Sequence, residues 1–171
     1  IIGANRKNDL GIKGIADNVK IMSVRAVPNG DERDKDIANA ILYAVDNGAQ
    51  IINMSFGKAY SFNKKVVDDA VKYAESKDVL LIHAAGNDAK NTDKANNFPT
   101  PRYENGTYCS TWIEVGSSSM DQTPSNFSNY GKRTVNVFAP GSEIYNTTPD
   151  NNYKWLDGTS MASPVVAGVA A

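Results

Sequence analysis

The chain has 171 residues, 41% of them hydrophobic and 22% charged, enough for one domain with a sizeable core. Eighteen Lys and Arg against 19 Asp and Glu leave a net charge of −1, so composition offers no broad basic surface for nucleic acid or an anionic membrane. No apolar run approaches the roughly 20 residues that insert across a bilayer, and the single Cys109, expected to be buried or unpaired, excludes an internal disulfide framework and a multi-cysteine zinc site.

Residues 1–19 open on the apolar Ile1-Ile2-Gly3-Ala4, pass through the polar Asn5-Arg6-Lys7-Asn8-Asp9 and reach Gly11 and Gly14. They read as a helix end running into a loop, and the apolar opening is too short for the core of a signal peptide. Residues 20–27, with Ile21, Val24 and Val27, read as a strand halted by the turn Pro28-Asn29-Gly30. An acidic start, Asp31, Glu32, Asp34 and Asp36, then leads into Ile37, Ile41 and Ala44-Val45 at helical spacing, closed by Asn47-Gly48. Acidic residues favour helix starts, which accounts for that cluster more simply than a preference for basic substrates does.

Ile51-Ile52-Asn53-Met54 is a short strand ending at Ser55-Phe56-Gly57, and Val67, Ala70, Val71 and Ala74 mark a second helix. The continuous apolar run Val79-Leu80-Leu81-Ile82 suits a strand buried on both faces. Alternating strands and helices imply parallel βαβ units, and so an α/β fold of three layers, α/β/α, around a mostly parallel sheet. A long polar stretch over residues 88–110 follows, of the kind that is functional or mobile in compact domains. Strands resume at Trp112-Ile113-Glu114-Val115 and at Thr134-Val135-Asn136-Val137-Phe138. No repeat or linker divides the chain.

Two stretches carry chemistry. In Gly158-Thr159-Ser160-Met161-Ala162-Ser163-Pro164 a tight turn delivers Ser160 to the start of a helix rich in small apolar residues. Unpaired N–H groups and the helix dipole there favour a developing negative charge. A serine in that place is equally an ordinary N-cap. Ala84-Ala85-Gly86-Asn87 closes the buried strand, where ligands of open α/β sheets bind, and the Asn87 amide can donate a hydrogen bond; Gly86-Asn87 alone is also an ordinary turn. The only histidine, His83, lies four extended residues before Asn87, roughly 13 Å back along the strand. A base must come within about 3 Å of its nucleophile, so His83 is expected to be a packed core residue.

Both motifs resemble those of the subtilisin-like serine proteases, the subtilases. The segments 20–27, 51–57, 79–87, 137–141 and 158–171 all have counterparts there, and residues 88–110 match least. The resemblance implies that Ser160 is the nucleophile, that Asn87 and the Ser160 N–H hold the oxyanion, and that the triad Asp and His stand earlier, in the order Asp, His, Ser. Ile1–Ala4 resembles the remainder of the helix that carries the His, and Ala171 falls inside the helix that Ser160 begins, so residues 1–171 are expected to be a C-terminal portion of a catalytic domain, truncated at both ends. Substrate is expected to lie as an added strand between Arg25-Ala26-Val27 and Ser55-Phe56-Gly57. The backbones of residues 55–57 and of Ala84, Ala85 and Gly86 would wall the primary pocket, with Asp88 at its rim. The family also implies a protein or peptide substrate and an extracellular or periplasmic setting. Many subtilases bind calcium through loop carbonyls that leave no trace in sequence, so no metal ligand and no cofactor is assigned. The alternative class is a subtilase-like domain that binds peptides without cutting them. An unrelated α/β hydrolase would need a His after Ser160, and none follows.

Overall fold

The computed structural model describes residues 1–27 and 30–171. Its centre is a parallel sheet of four strands in the order β1 (Ile51–Met54), β2 (Leu80–Ala84), β3 (Trp112–Ser118), β4 (Val137–Pro140). Helices α1 (Asp34–Asp46) and α2 (Lys64–Ser76) cover one face. On the other lies α3 (Thr159–Ala170). A two-stranded hairpin, β5 (Ile144–Thr148) and β6 (Asn152–Leu156), connects β4 to α3. This is the expected three-layer arrangement.

Sequence spacing dictates the two cores. On α1, Ile37, Ala38, Ile41, Ala44 and Val45 recur at helical intervals and are buried, as are Val67, Ala70, Val71 and Ala74 on α2. They close on Met54, Leu81 and Trp112 of the sheet. The alternate strand residues, Ile82 and Val115, face Ala162 and Ala167 of α3. Both faces of β2 are therefore packed, and each fully buried Leu or Ile there contributes about 1.5–3 kcal/mol. The small residues of α3 let its backbone approach the sheet closely.

The structure departs from expectation in three places. Residues 20–27 form no strand. Among the described residues the sheet consists of β1 to β4, and residues 20–27 are not part of it. The turn expected at Pro28-Asn29 lies outside the described residues. Residues 1–4 form no helix; Ile1, Ile2 and Ala4 instead accept backbone bonds from Ile15, Ala16 and Gly14. The last sheet strand begins at Val137 rather than Thr134, because Thr134 is held by Asp93, whose carboxylate accepts the backbone N–H groups of Lys132, Arg133 and Thr134. The acidic run before α1 is also more than a solvated helix start: Asp34 is buried, pairs with Lys58 at 2.8 Å and accepts the Asn63 N–H at 2.7 Å. Burial alone would raise its pKa, but Lys58 and the Asn63 N–H outweigh burial and hold it below the usual carboxylate range.

The polar stretch 88–110 is anchored. Phe98 and Lys58 exchange backbone hydrogen bonds, and Lys64 donates to the Arg102 carbonyl at 2.6 Å. The Glu75 carboxylate on α2 accepts from the Ser110 N–H at 2.6 Å, the Ser110 hydroxyl at 2.7 Å and the Tyr103 hydroxyl at 2.8 Å. Cys109 is buried and free. The Ser110 N–H foremost, then the two hydroxyls, hold Glu75 below its ordinary pKa. A carboxyl lowered by folding stabilises the fold above its unfolded value, about 4.3 for Glu, and that contribution is lost as pH falls through the lowered folded value. Glu75→Gln is therefore expected to lower stability at pH 7 and to flatten the loss between about pH 5 and pH 3, read from urea unfolding at each pH.

Candidate active site

Parallel strands bring their C-terminal ends to one edge of the sheet, and the motif residues meet there. Register pairs Met54 with His83, which sets Ser55, just past β1, beside the end of β2 at Ala84. The start of α3 descends on both. Ser160, half-buried in its first turn, donates from Oγ to the Ser55 carbonyl at 3.1 Å, and Ser55 Oγ donates to the Ser160 carbonyl at 3.0 Å.

Asn87 reaches the same helix end from β2. Its Oδ1 accepts from the Thr159 N–H and from the Thr159 hydroxyl, each at 2.9 Å. Asn87 thus caps α3 from another part of the chain, taking up one of the N–H groups every helix start leaves over. Fixing Oδ1 in this way leaves Nδ2 as the outward donor. Thr159 Oγ1 in turn accepts the Gly86 N–H at 3.1 Å. A Cβ built on Gly158 would stand 3.5 Å from Asn87 Nδ2 and 3.6 Å from the Ser160 nitrogen, so both N–H donors border the space that this glycine leaves open. Its φ of 152° is one that side-chain-bearing residues rarely adopt. Neither donor has a partner among the described residues. The arrangement is a hydroxyl beside two donors, suited to an oxyanion.

The segments after β1 and β2 are tied by residues that the motifs do not reveal. Asn97 Nδ2 donates to the Ala84 carbonyl at 3.0 Å, and its side chain lies where a Cβ on Gly57 would fall. Asn129, buried, donates to the Ala85 carbonyl at 2.7 Å and accepts from Asp88 and Lys90 N–H at 3.0 and 2.9 Å. Gly86, at φ +100°, is needed because a Cβ would come within 2.4 Å of Asn129 Nδ2. Partners 13 to 44 residues away give these asparagines no local signature. Phe56 is half-buried, its ring edge-on to His83 at 6.3 Å. Asp88 is exposed and faces Lys90 at 3.7 Å. Arg25 is exposed, while Ala26 and Val27 pack against the same core cluster as Phe56.

His83 is fully buried. Its Nδ1 lies 2.9 and 3.0 Å from the two Glu114 carboxylate oxygens, which can only accept, so Nδ1 carries the proton. Trp112 Nε1 donates to the same carboxylate at 2.8 Å. Among the described residues there is no group of His, Cys, Asp and Glu that could hold a metal ion.

Thr159→Val keeps the volume of the side chain but removes the acceptor of the Gly86 N–H and one anchor of Asn87. It is expected to cost about 1–3 kcal/mol in denaturant unfolding and to speed amide exchange at Gly86; an unchanged Gly86 exchange rate would contradict the assigned bond.

Comparison with known proteins matches residues 1–171 to the model of the subtilase family. The chain is 42% identical over 171 residues to thermitase of Thermoactinomyces vulgaris, covering 99% of this chain and 57% of that protein. It is 41% identical over 172 residues to the thermophilic serine proteinase of Bacillus sp. strain AK1, covering 100% of this chain and 40% of the relative. Among solved structures, a protease of Pseudoalteromonas arctica PAMC 21717 superposes with a TM-score of 0.85 at 30% identity, covering 99% of this chain and 54% of the other. The chain thus spans about half the length of the curated relatives it matches.

Proposed function

The chain belongs to the subtilase family, and we propose that it is the C-terminal part of a serine endopeptidase whose nucleophile is Ser160. The observation that carries this reading is the junction of β1, β2 and α3, where the Ser160 hydroxyl stands beside two outward donors, its own N–H and Asn87 Nδ2. In the parent protein a histidine upstream of residue 1 takes the Ser160 proton as Oγ attacks the scissile carbonyl, and an upstream aspartate orients that histidine. The carbonyl oxygen, now negative, is held by Asn87 and the Ser160 N–H. The proton passes to the leaving amine, the C–N bond breaks, and water then releases the acyl group from Ser160. Acyl transfer by these groups calls for no cofactor.

The peptide is held extended between residues 25–27 and 55–57, with its primary side chain between the backbones of residues 55–57 and Ala84, Ala85 and Gly86. The resemblance further suggests an extracellular or periplasmic parent, and among the described residues no helix is long and apolar enough to cross a membrane.

Fluorophosphonate labelling of the parent polypeptide, read by intact mass against its Ser160→Ala form, tests this reading. One Ser160-dependent adduct is expected on the parent and essentially none on residues 1–171 alone. A folded parent without an adduct would instead favour a domain that binds peptides without cutting them. Asn87→Ala in the parent is expected to lower kcat about 10²–10³-fold, a range that comes from subtilisin, itself a member of the family.

A further inference from the structure

Beneath Ser160 runs a chain of side chains, Ser163 fully buried and Asn53 and Ser55 half-buried, whose polar atoms the proposed reaction does not itself use. Ser163, fully buried, donates from Oγ to Asn53 Oδ1 at 2.5 Å. Asn53 Nδ2 donates to Ser55 Oγ at 2.9 Å, and Ser55 Oγ donates to the Ser160 carbonyl at 3.0 Å. Each group donates onward to the next, so the chain has one direction, from Ser163 through Asn53 and Ser55 to Ser160. Geometry makes it possible. Residues three apart on a helix share a face, and so do residues two apart on a strand. Ser160 and Ser163 on α3 therefore sit over Ser55 and Asn53 at the end of β1 as two rungs.

The last link has a specific cause. In a regular helix the Ser160 carbonyl would accept the N–H of residue 164, but Pro164 has no N–H, and a proline ring inside a helix crowds the carbonyl four residues back. That carbonyl needs a donor from outside the helix, and Ser55 supplies it. Which way the Ser55 hydroxyl points is decided by Asn53, whose amide presents an N–H to its oxygen and so leaves the hydroxyl proton free to turn toward α3. The orientation of the Asn53 amide is decided by Ser163, whose hydroxyl claims Oδ1.

We infer that Asn53 and Ser163 are positioning residues for the nucleophile: through Ser55 they set the backbone of Ser160, and hence its hydroxyl, relative to the Asn87 donor. The inference rests on the proposed role of Ser160. The decisive variant is Asn53→Asp, which keeps shape and volume but replaces the donor to Ser55 with a second acceptor. The Ser55 hydroxyl then turns toward residue 53, and the Ser160 carbonyl loses its partner. Ser163→Ala removes the first donor, and Ser163→Thr restores a hydroxyl.

In the parent polypeptide, kcat and KM on a peptide anilide and the rate of fluorophosphonate labelling at Ser160 are measured for each variant, with crystal structures of the wild type and Asn53→Asp. Asn53→Asp is expected to lower kcat and the labelling rate about 10- to 100-fold, the scale of a misplaced reacting group, with KM within twofold. Ser163→Ala is expected to follow it and Ser163→Thr to recover. The crystal structures should show Ser160 shifted relative to Asn87 Nδ2. Folded variants with wild-type kcat and an unmoved Ser160 would overturn the inference, as would a rise in KM at constant kcat. If wild-type protein takes up no label, the nucleophile reading fails, while the crystallographic comparison still decides whether Asn53 sets the position of Ser160.

Discussion

A parallel sheet delivers all of its strand ends to one edge, and the site of this protein depends on that constraint. Ser55 and Asn87 are 32 residues apart in sequence, yet the register of β1 with β2 leaves the two strands finishing side by side. The backbone leaving β4 closes the same edge, since the Gly158 N–H donates to the Gly141 carbonyl at 2.8 Å. α3 can begin only where these three strand ends leave room. Its leftover N–H groups need acceptors, and an amide oxygen at the end of β2 meets part of that need. Satisfying the helix start and aiming the Asn87 N–H outward are one event: Oδ1 is occupied, so Nδ2 is what remains.

The opposite face of the sheet carries a different burden. Glu114 is buried, and an unpaired carboxylate there would be costly. It is tolerated because the His83 and Trp112 N–H groups both donate to it. This network faces α1 and α2, away from α3. It engages Nδ1 of the chain's only imidazole in the core and gives Phe56 an aromatic partner on its buried side.

Much of this was legible in the sequence, because the signals were local. The helical spacing of Ile37, Ile41 and Val45 and the apolar run at residues 79–82 each depend on neighbours a few residues away. The same holds for Gly158-Thr159-Ser160 and Gly86-Asn87, whose turn chemistry is written in the glycines. What escaped was non-local. Residues 20–27 carry β-prone side chains, but strand formation is decided by a neighbour that the run itself does not encode. Asn97, Asn129 and Asn53 are polar residues in unremarkable settings; only the folded chain shows that their amides join segments 13 to 110 residues apart. Asp34 looked like one member of a charged helix start and became a buried partner of Lys58 through a contact 24 residues on.

The helix behind Ser160 shows how these levels combine. Ala162, Ser163, Ala167 and Gly168 are buried and small, and a Cβ on Gly168 would fall 2.6 Å from that of Ile15, so α3 lies as close to its neighbours as a backbone allows. Val165 and Val166 add half-buried bulk beside these small residues. Hydrogen bonds near its start add to that packing, from Thr159 to Asn87, from Ser160 to Ser55 and from Ser163 to Asn53. Pro164 sharpens the effect by withdrawing the internal bond that would otherwise tie the Ser160 carbonyl to the helix axis. The position of Ser160 is therefore referenced to the ends of β1 and β2 rather than to the remainder of α3. The ends of two neighbouring strands, β1 through Ser55 and β2 through Asn87, thus hold the start of one helix.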